Sequence, residues 1–494
     1  MITNILEYLY HTAARVPDKL AFSDGQCSLT FRALTEKTEA VAAFLLAAGH
    51  SSGPVGVFME RSPLEIAVFL GVVRAGCFYV PMDAEMGEER LKGIAARMRL
   101  SCILADAAGL GTARSLVPDG AFAAEEALSC PVSALPPLSG SDTDPFYTVF
   151  TSGSTGLPKG VCGCHRAVID YAEHMLPAVG IGEDAIMGCQ APLYFDACFK
   201  ELLACLVRGA SVYLVPRPLF SQPLELVRFL NRYQINTVCW VSSAFSLVAA
   251  LKTFRYEKPE YLRTVCFGSE VFPPKHLRAW QEACPGARFI NLYGPTECTG
   301  MSCFYPVPGS VADGEKIPIG RPFVNTRVYL IDENGHEARE GEICIGGTCV
   351  TLGYFNDPQR TSEAFVQNPL HNDYPDRVYR TGDLAAYNEH GDLVFLGRAD
   401  QQIKRMGHRI ELGEIESTAA SLPGVEQCVC LFAAKSGVLL LLYTGRAESA
   451  EVLAALDTKL PVFARPQRVE RLESMPTTPN GKADRRKLKE RYGC

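Results

Sequence analysis

The sequence lacks any apolar run long enough to cross a membrane. One of its longest uninterrupted apolar stretches runs only from Val438 to Tyr443, whereas a membrane-spanning helix needs about 20 apolar residues. The N-terminal segment also lacks the continuous apolar core of a secretory signal, because Glu7, His11, Arg15 and Asp18 interrupt it. We therefore expect no membrane insertion, and we predict that this segment forms an amphipathic helix of the fold itself.

An excess of positive charge is also absent. The chain has 48 Lys and Arg against 55 Asp and Glu, for a formal net charge of −7. It therefore offers no general basic field of the kind that holds a polyphosphate backbone. Nucleic acid is not an expected partner.

The cysteines form no C-x-x-C pair. There are 19 of them, an odd number spread over the whole chain, which is typical of reduced thiols in a cytoplasmic protein. Cys162 and Cys164 lie close together, but with His165 they offer only three nearby ligands, whereas structural zinc takes four. Positions along a β-strand explain their spacing equally well.

The 494 residues are too many for one ordinary domain. Apolar residues make up 47% of the chain and charged residues 21%, as in globular enzymes. Short Val- and Ile-rich runs precede helical stretches at Val55–Met59 with Leu64–Ala75, Ser211–Val215 with Leu224–Tyr233, and Val265–Phe267 with Lys275–Cys284. This alternation predicts an α/β fold with mostly parallel sheets flanked by helices.

Two changes of composition suggest where the chain divides. From Pro131 to Asp144 the residues are mainly Pro, Ser, Gly and Asp, which predicts a surface linker between lobes. After about Gly397 the residue pattern changes, and the remaining chain is long enough for a small second domain. We predict a large N-terminal domain of several subdomains over residues 1–399 and a small α+β domain over residues 400–494.

The most informative stretch is Thr148–Val161, TVFTSGSTGLPKGV. Its glycines would let a backbone approach a polyphosphate closely, its hydroxyls can donate hydrogen bonds, and Lys159 adds a positive charge. It is not the common P-loop, since Pro158 rather than glycine precedes the lysine. From composition alone, an ATP-binding loop and a flexible surface loop remain equally open.

Further motifs decide between these alternatives. In chain order they are RAGCFYVPMD at Arg74–Asp83, NLYGPTE at Asn291–Glu297, GEICIGG at Gly341–Gly347, YRTGDLA at Tyr379–Ala385, GRADQQIKRMGHRIELGEIE at Gly397–Glu416 and PTTPNGKADR at Pro476–Arg485. Together with TSGSTGLPKGV, this series resembles the adenylate-forming enzymes over essentially the whole chain. The sequence is most similar to amino-acid adenylation domains, in particular to free-standing D-alanine:carrier-protein ligases.

The resemblance implies that ATP and Mg²⁺ are used. It assigns ATP phosphate binding to Thr151, Ser152, Gly153, Ser154, Thr155, Gly156, Lys159 and Thr296, adenine and ribose contacts to Gly268, Asn291, Tyr293, Asp383 and Arg398, and the metal to Glu297. These residue types suit their tasks, because an aromatic ring can stack on adenine, a carboxylate can accept from two ribose hydroxyls, and Mg²⁺ prefers oxygen ligands.

The resemblance also implies that the small domain rotates between two states. Lys482 would stabilise the charge that gathers as a carboxylate oxygen joins the α-phosphorus and pyrophosphate leaves. Asp400 would be the hinge, and Gly407 would line the tunnel through which a thiol reaches the site. The alternative is that Lys482 is a solvent-exposed lysine of a basic C-terminal tail without a catalytic role.

Asp196 is the residue that favours an amino acid as the substrate. By resemblance, it would pair with the α-ammonium of the substrate, since a buried carboxylate needs such a partner; a helix N-cap is the alternative. The resemblance places around the substrate side chain Ala197, Lys200, Trp240, Val265, Phe267, Leu292, Gly300 and Met301. Several are large and favour a small amino acid, while Lys200 could pair with a short acidic side chain. The D-alanine enzymes have an apolar residue at the position of Lys200 and a cysteine at that of Gly268.

The expected acceptor is the phosphopantetheine thiol of a carrier protein, or CoA. The motifs run to the end of the sequence with no carrier motif behind them and no condensation domain before them, so we expect the carrier to act in trans. Two other functions stay open. An acyl- or aryl-CoA ligase would share the ATP motifs but not Asp196, and an inactive nucleotide-binding scaffold should have lost Lys159, Glu297, Asp383 or Lys482.

Overall fold

A computed structural model describes residues 2–83, 86–151, 158–309, 311–312, 314–399, 402–434, 436–476 and 483–494. The chain divides into two compact units. The larger comprises residues 1–82, 97–149 and 160–399, and the smaller comprises residues 83–96, 150–159 and 400–494. The smaller unit thus includes two stretches that the sequence-based division gives to the N-terminal domain, and the domain boundary at 399/400 stays a prediction.

The first sheet of the larger unit has nine strands in the order β15-β14-β13-β12-β11-β9-β10-β1-β2 over the described residues. Its strands are β1 (Leu20–Ser23), β2 (Ser28–Thr30), β9 (Ile186–Cys189), β10 (Ser211–Leu214), β11 (Thr237–Val241), β12 (Thr264–Gly268), β13 (Arg288–Tyr293), β14 (Cys303–Pro306) and β15 (Arg321–Pro322). The pairs from β1 through β10, β9, β11 and β12 to β13 are parallel, and the three outer pairs are antiparallel.

A second sheet has the order β18-β8-β7-β4-β3-β5-β6. Its strands are β3 (Pro54–Phe58), β4 (Phe78–Met82), β5 (Ile103–Ala105), β6 (Ala121–Ala123), β7 (Pro145–Thr151), β8 (Lys159–Cys164) and β18 (Gly353–Tyr354). The pairs β3–β4, β3–β5, β4–β7 and β5–β6 are parallel, and β18 is antiparallel to β8. Cys162 and Cys164 lie on β8, as their spacing suggests, and all 19 cysteines are free.

The third sheet of the larger unit is entirely antiparallel. It is formed by β16 (Thr326–Ile331), β17 (Glu340–Gly347), β19 (Phe365–Gln367), β20 (Arg377–Tyr387) and β21 (Leu393–Arg398). The long strand β20 pairs with β17, β19 and β21. The position of Asp383, inside β20, is therefore set by the register of the neighbouring strands.

The smaller unit contains a hairpin of β22 (Gln402–Arg405) and β23 (His408–Glu411) and a sheet of β24 (Val425–Ala433), β25 (Val438–Gly445) and β26 (Arg468–Arg471). Its core is formed largely by aliphatic residues of β25 and of the helices packed on it, among them Leu439, Leu441, Ile415 and Leu456. The smaller unit thus mixes helices with mostly antiparallel strands, as predicted for the small α+β domain.

The α-helices cover the sheets. They are α1 (Leu6–Arg15), α2 (Phe31–Ala47), α3 (Pro63–Arg74), α4 (Glu88–Met98), α5 (Leu110–Leu116), α6 (Ala124–Leu128), α7 (His165–Ala178), α8 (Phe199–Leu203), α9 (Pro223–Arg232), α10 (Ser242–Ala250), α11 (Pro274–Ala283), α12 (Pro358–Ala364), α13 (Leu412–Ala420), α14 (Ser449–Lys459) and α15 (Arg485–Tyr492). Local sequence explains the start of α3, where the Ser62 side chain accepts from the Glu65 amide and Pro63 takes the first position.

The three predicted strand–helix pairs are confirmed to within one residue as β3 with α3, β10 with α9, and β12 with α11. The predicted N-terminal helix is α1. Residues 131–144 are mostly exposed, as predicted, but they connect α6 to β7 inside the larger unit. Their interpretation as a linker between lobes is therefore wrong, because Pro and Gly mark any exposed connection. Within the described part of the chain, no helix combines the length and apolar character that a membrane span requires.

Candidate active site

Tyr293, Asp383 and Arg398 form one hydrogen-bonded group in the larger unit, in which Tyr293 and Asp383 are buried and Arg398 is partly buried. The Tyr293 hydroxyl donates to Asp383 Oδ2 at 2.6 Å, and the Arg398 guanidinium donates to Asp383 Oδ1. Arg398 also donates to the carbonyl oxygen of Thr381 at 3.0 Å. Burial, reinforced by the adjacent Asp383 carboxylate, raises the pKa of Tyr293 well above its usual value. Tyr293 therefore stays protonated and acts as a donor.

Strand register explains this grouping. Asp383 on β20 lies directly opposite Arg398 on β21, so an ion pair across the two strands fixes the carboxylate. Tyr293 is the last residue of β13. The structure thus brings together three of the five residues predicted for adenine and ribose.

The other two residues of that group, Asn291 and Gly268, lie on β13 and β12. The Asn291 side-chain amide donates to the carbonyl oxygen of Pro318 at 2.8 Å. Gly268 lies opposite Leu292, and a Cβ at Gly268 would come within 2.3 Å of the Leu292 carbonyl oxygen. Close backbone approach therefore requires glycine here, whatever the ligand.

The segment after β13 holds Glu297 in a fully buried position. Thr296, which is half-buried, and Glu297 begin a 3-10 turn that ends at Cys298. The Tyr354 hydroxyl donates to Glu297 Oε1 at 2.9 Å. The Glu297 carbonyl oxygen accepts from both the amide and the hydroxyl of Thr351, each at 3.0 Å. Glu297, the predicted metal ligand, is thus held by hydrogen bonds to both its backbone and its side chain.

Asp196 is buried and lies beside Gly300. A Cβ at Gly300 would stand 3.7 Å from Asp196 Oδ2, so the two predicted substrate residues are neighbours. Asp196 is the first residue of a 3-10 turn whose N-cap position belongs to Phe195, and α8 follows with Cys198 at its N-cap. Asp196 is therefore not the N-cap of either helix, contrary to the alternative considered from the sequence.

Lys200 and Glu201 follow on α8, and both are buried. The Lys200 ammonium donates to the carbonyl oxygen of Ala197 at 2.5 Å. Neither carboxylate oxygen of Glu201 has a hydrogen-bond partner among the described residues. Burial raises the pKa of Glu201 to about 7, while the positive charge of Lys200 opposes that rise.

The remaining predicted substrate residues belong to hydrophobic cores. Trp240 and Phe267 are opposite each other on β11 and β12 and pack in a core with Phe245 and Phe272. The Trp240 indole donates to the carbonyl oxygen of Gly188 at 2.7 Å. Packing alone accounts for these aromatics, so their contact with a substrate stays a prediction. Three further predicted residues pack in or against the largest core: Leu292, Met301 and Ala197, whereas Val265 belongs to the core of Trp240.

In the smaller unit, Thr151 and Lys159 flank the glycine-rich loop. The buried Thr151 hydroxyl has no hydrogen-bond partner among the described residues. The Lys159 ammonium lies 3.8 Å from Glu411 Oε1. Gly407 and Met406, at φ 80° and 52°, form the two-residue turn between β22 and β23, and this geometry favours glycine independently of any thiol tunnel.

Seven predicted residues lie outside the described residues: Ser152, Gly153, Ser154, Thr155, Gly156, Asp400 and Lys482. Sequence reasoning also missed two residues that the structure makes prominent. Tyr354, which holds Glu297, and Glu201, beside Lys200, carry no local signal, because their contacts or burial arise only in the folded chain.

Residues 9–355 match the family described as AMP-binding enzyme. The chain belongs to the AMP-binding enzyme family. It is 34% identical over 502 residues to tyrocidine synthase 3 of Brevibacillus parabrevis, covering 99% of this chain and 8% of that protein. It is 32% identical over 501 residues to the L-proline--[L-prolyl-carrier protein] ligase of Streptomyces coelicolor, covering 94% of this chain and 92% of that enzyme.

The comparison with solved structures supports the same family resemblance. The chain resembles holo-PA1221, described as an NRPS protein containing adenylation and PCP domains, with a TM-score of 0.83 and 27% identity over 99% of this chain and 84% of that one. These findings confirm the family resemblance and the large-plus-small α/β architecture. The chain spans only a small part of the length of tyrocidine synthase 3.

Proposed function

We propose that this AMP-binding enzyme activates an amino acid with ATP and passes it to the phosphopantetheine thiol of a carrier protein acting in trans. In the first step, an oxygen of the substrate carboxylate bonds to the α-phosphorus of ATP, and the bond to pyrophosphate breaks. In the second, the thiolate attacks the carbonyl carbon of the aminoacyl-adenylate, and AMP leaves.

The observation that carries an amino acid as substrate is Asp196. This residue is 8% exposed and lies beside Gly300, where the absence of a side chain leaves room next to the acid. A buried carboxylate attracts a cation strongly, because little water competes for it. The α-ammonium of an amino acid supplies that cation, whereas a fatty or aryl acid does not.

The nucleoside would be held by Asp383 and its two partners. A carboxylate has about four lone-pair sites, and Tyr293 and Arg398 each occupy one of them. The remaining sites suit the two ribose hydroxyls. Tyr293, at the end of its strand, supplies an aromatic surface for adenine.

Glu297 fits a Mg²⁺ ion that is bound together with ATP. Within the described ranges no group of three or more His, Cys, Asp or Glu side chains forms a metal site, but Mg²⁺ is commonly held by one or two carboxylates plus substrate phosphates. Glu297 supplies such a carboxylate. When bound, the ion would neutralise charge on the phosphates as pyrophosphate leaves.

The family resemblance supports three further roles. Lys482 would stabilise the charge that gathers at the α-phosphorus, while Asp400 would be the hinge and Gly407 would line the path of the thiol.

The residues that the family resemblance assigns to the substrate pocket bear on substrate size. We favour a small amino acid, since several predicted pocket positions are bulky. Lys200 gives a specific reason to keep a short acidic amino acid as the second candidate. Its buried ammonium donates to the carbonyl oxygen of Ala197, and an ammonium with three donor hydrogens can still donate to a carboxylate.

Amino-acid-dependent exchange of labelled pyrophosphate into ATP, over both hands of the common amino acids, tests the proposal. We expect a response to one or a few small or short acidic amino acids. The Asp196→Asn variant should lose more than about 100-fold in kcat/KM, since breaking a buried ion pair costs about 3–5 kcal/mol. Asp392→Asn removes a similarly buried carboxylate elsewhere and should keep most of the activity.

The other outcomes separate the alternatives. Exchange that depends on acids without an amine, and is insensitive to Asp196→Asn, would identify an acyl- or aryl-CoA ligase. No exchange with any carboxylic acid would favour a nucleotide-binding scaffold. Loading of a carrier protein added separately, compared with transfer to CoA, would identify the acceptor.

A further inference from the structure

We propose that Tyr354 is a positioning residue that orients the Glu297 carboxylate toward the metal ion bound with ATP. The inference rests on the proposed function, because it needs Glu297 to be a metal ligand. Tyr354 lies outside every motif that carries the family resemblance in this sequence. Its hydroxyl donates to Glu297 Oε1 at 2.9 Å, and both side chains are buried.

The backbone around Glu297 is already fixed by other contacts. The amide and hydroxyl of Thr351 both donate to the Glu297 carbonyl oxygen at 3.0 Å, and the Thr299 hydroxyl donates to the Cys349 carbonyl oxygen at 2.8 Å. These bonds tie the turn to residues 349–351. They do not set the rotation of the Glu297 carboxylate, which is a terminal torsion with broad preferences. The Tyr354 hydroxyl makes a contact that can set it.

Tyr354 is itself held rigidly. It lies on β18, opposite Val161 of β8. Its amide donates to the Thr361 hydroxyl at 3.0 Å, and its ring meets the edge of Phe365 with centroids 5.5 Å apart. Gly353, at φ 110°, allows the strand to approach α12 closely, since a Cβ there would come within 2.6 Å of Thr361. The hydroxyl is therefore presented to Glu297 from a fixed position.

This arrangement links the metal carboxylate to the strand that leaves the glycine-rich loop. Main-chain bonds of 2.8 Å join Leu352 to Cys162 and Phe355 to Gly160, on both sides of Tyr354. Groups that orient a metal ligand typically change metal affinity or activity by about 10- to 100-fold when they are removed. The Tyr354 hydroxyl is such an orienting group for the Glu297 carboxylate.

The test is Tyr354→Phe, which removes one oxygen and keeps the ring. We expect the Mg²⁺ concentration for half-maximal pyrophosphate exchange to rise about 10-fold, with the rate recovering at high Mg²⁺. Electron paramagnetic resonance of free Mn²⁺ should show a parallel loss of Mn²⁺ affinity in the presence of ATP, independently of turnover. Glu297→Gln should lose activity that added Mg²⁺ does not restore.

The control is Tyr443→Phe, in the smaller unit, where the hydroxyl donates to the Ala447 carbonyl oxygen at 2.7 Å. It also removes a tyrosine hydroxyl hydrogen bond, and it should leave the metal dependence unchanged. An unchanged metal midpoint in Tyr354→Phe, or a loss of rate equal at all Mg²⁺ concentrations, would overturn the inference. If the wild type shows no exchange with any acid, the proposed function fails, while Mn²⁺ binding with ATP still tests Tyr354.

Discussion

Replacing Glu201 by glutamine should stabilise the larger unit increasingly as the pH rises. Burial raises the pKa of this carboxyl from 4.5 to about 7, with the Lys200 ammonium opposing the rise. In the unfolded chain, Glu201 loses its proton near its ordinary pKa, whereas in the folded chain it keeps the proton until about pH 7. Between these values the folded state binds more protons, so the stability of the wild type falls as the pH increases.

The pKa values set the magnitude. Each pKa unit corresponds to 1.36 kcal/mol, so the full shift would cost the folded protein about 3 kcal/mol above pH 7 and nothing well below the ordinary pKa of glutamate. Glutamine keeps the size of the side chain but cannot ionise. The advantage of Glu201→Gln over the wild type should therefore grow by about 2–3 kcal/mol between about pH 5 and about pH 8.5.

Urea unfolding followed by tryptophan fluorescence measures this difference. Both tryptophans, Trp240 and Trp280, are buried in the larger unit, so the signal reports the unit that contains Glu201. Other titrating groups are common to both proteins, including buried His165, whose pKa burial lowers to about 4. Their effects cancel in the difference between the two pH profiles.

The exposed Glu282, on α11 of the same unit, provides the control, since Glu282→Gln should leave the profile unchanged. A stability difference between Glu201→Gln and the wild type that stays constant from about pH 5 to about pH 8.5 would refute the reasoning. So would a variant that becomes less stable than the wild type at the higher pH, because that result would require an ionised Glu201 to stabilise the fold.

Two further predictions follow from the site. Asp383→Asn should raise the KM for ATP about 10-fold or more, because the amide keeps only one acceptor oxygen and so loses acceptor sites for the ribose hydroxyls, at a cost of about 1–3 kcal/mol. The KM values for ATP and for the amino acid, both measured by pyrophosphate exchange, check this prediction. An equal rise in both KM values would contradict it. Gly268→Ala should destabilise the larger unit by about 1–3 kcal/mol in urea unfolding, since the new Cβ would overlap a carbonyl oxygen on β13. The control Gly286→Ala has open space around the new Cβ and should be close to neutral. Similar stabilities of the two variants would refute the packing argument.

Much of the chemistry was predictable from short stretches. Alternating apolar runs and helical stretches predicted three strand–helix pairs, because the period of side-chain burial is a local property of the chain. The motif series identified the family, and with it the residues to examine. The third sheet, by contrast, is wholly antiparallel, and no strand pattern in the sequence had distinguished it from the parallel sheets.

The sequence by itself determined the family, the α/β architecture with its two mainly parallel sheets, and the residue types that ATP chemistry needs. Only the tertiary structure decided which of those residues meet. Asp383 contacts Tyr293, 90 positions away, and Tyr354 reaches Glu297 across 57 positions. Such contacts depend on strand order and register, in which a shift of one residue turns a side chain to the other face of its sheet. A local sequence pattern therefore does not predict these contacts.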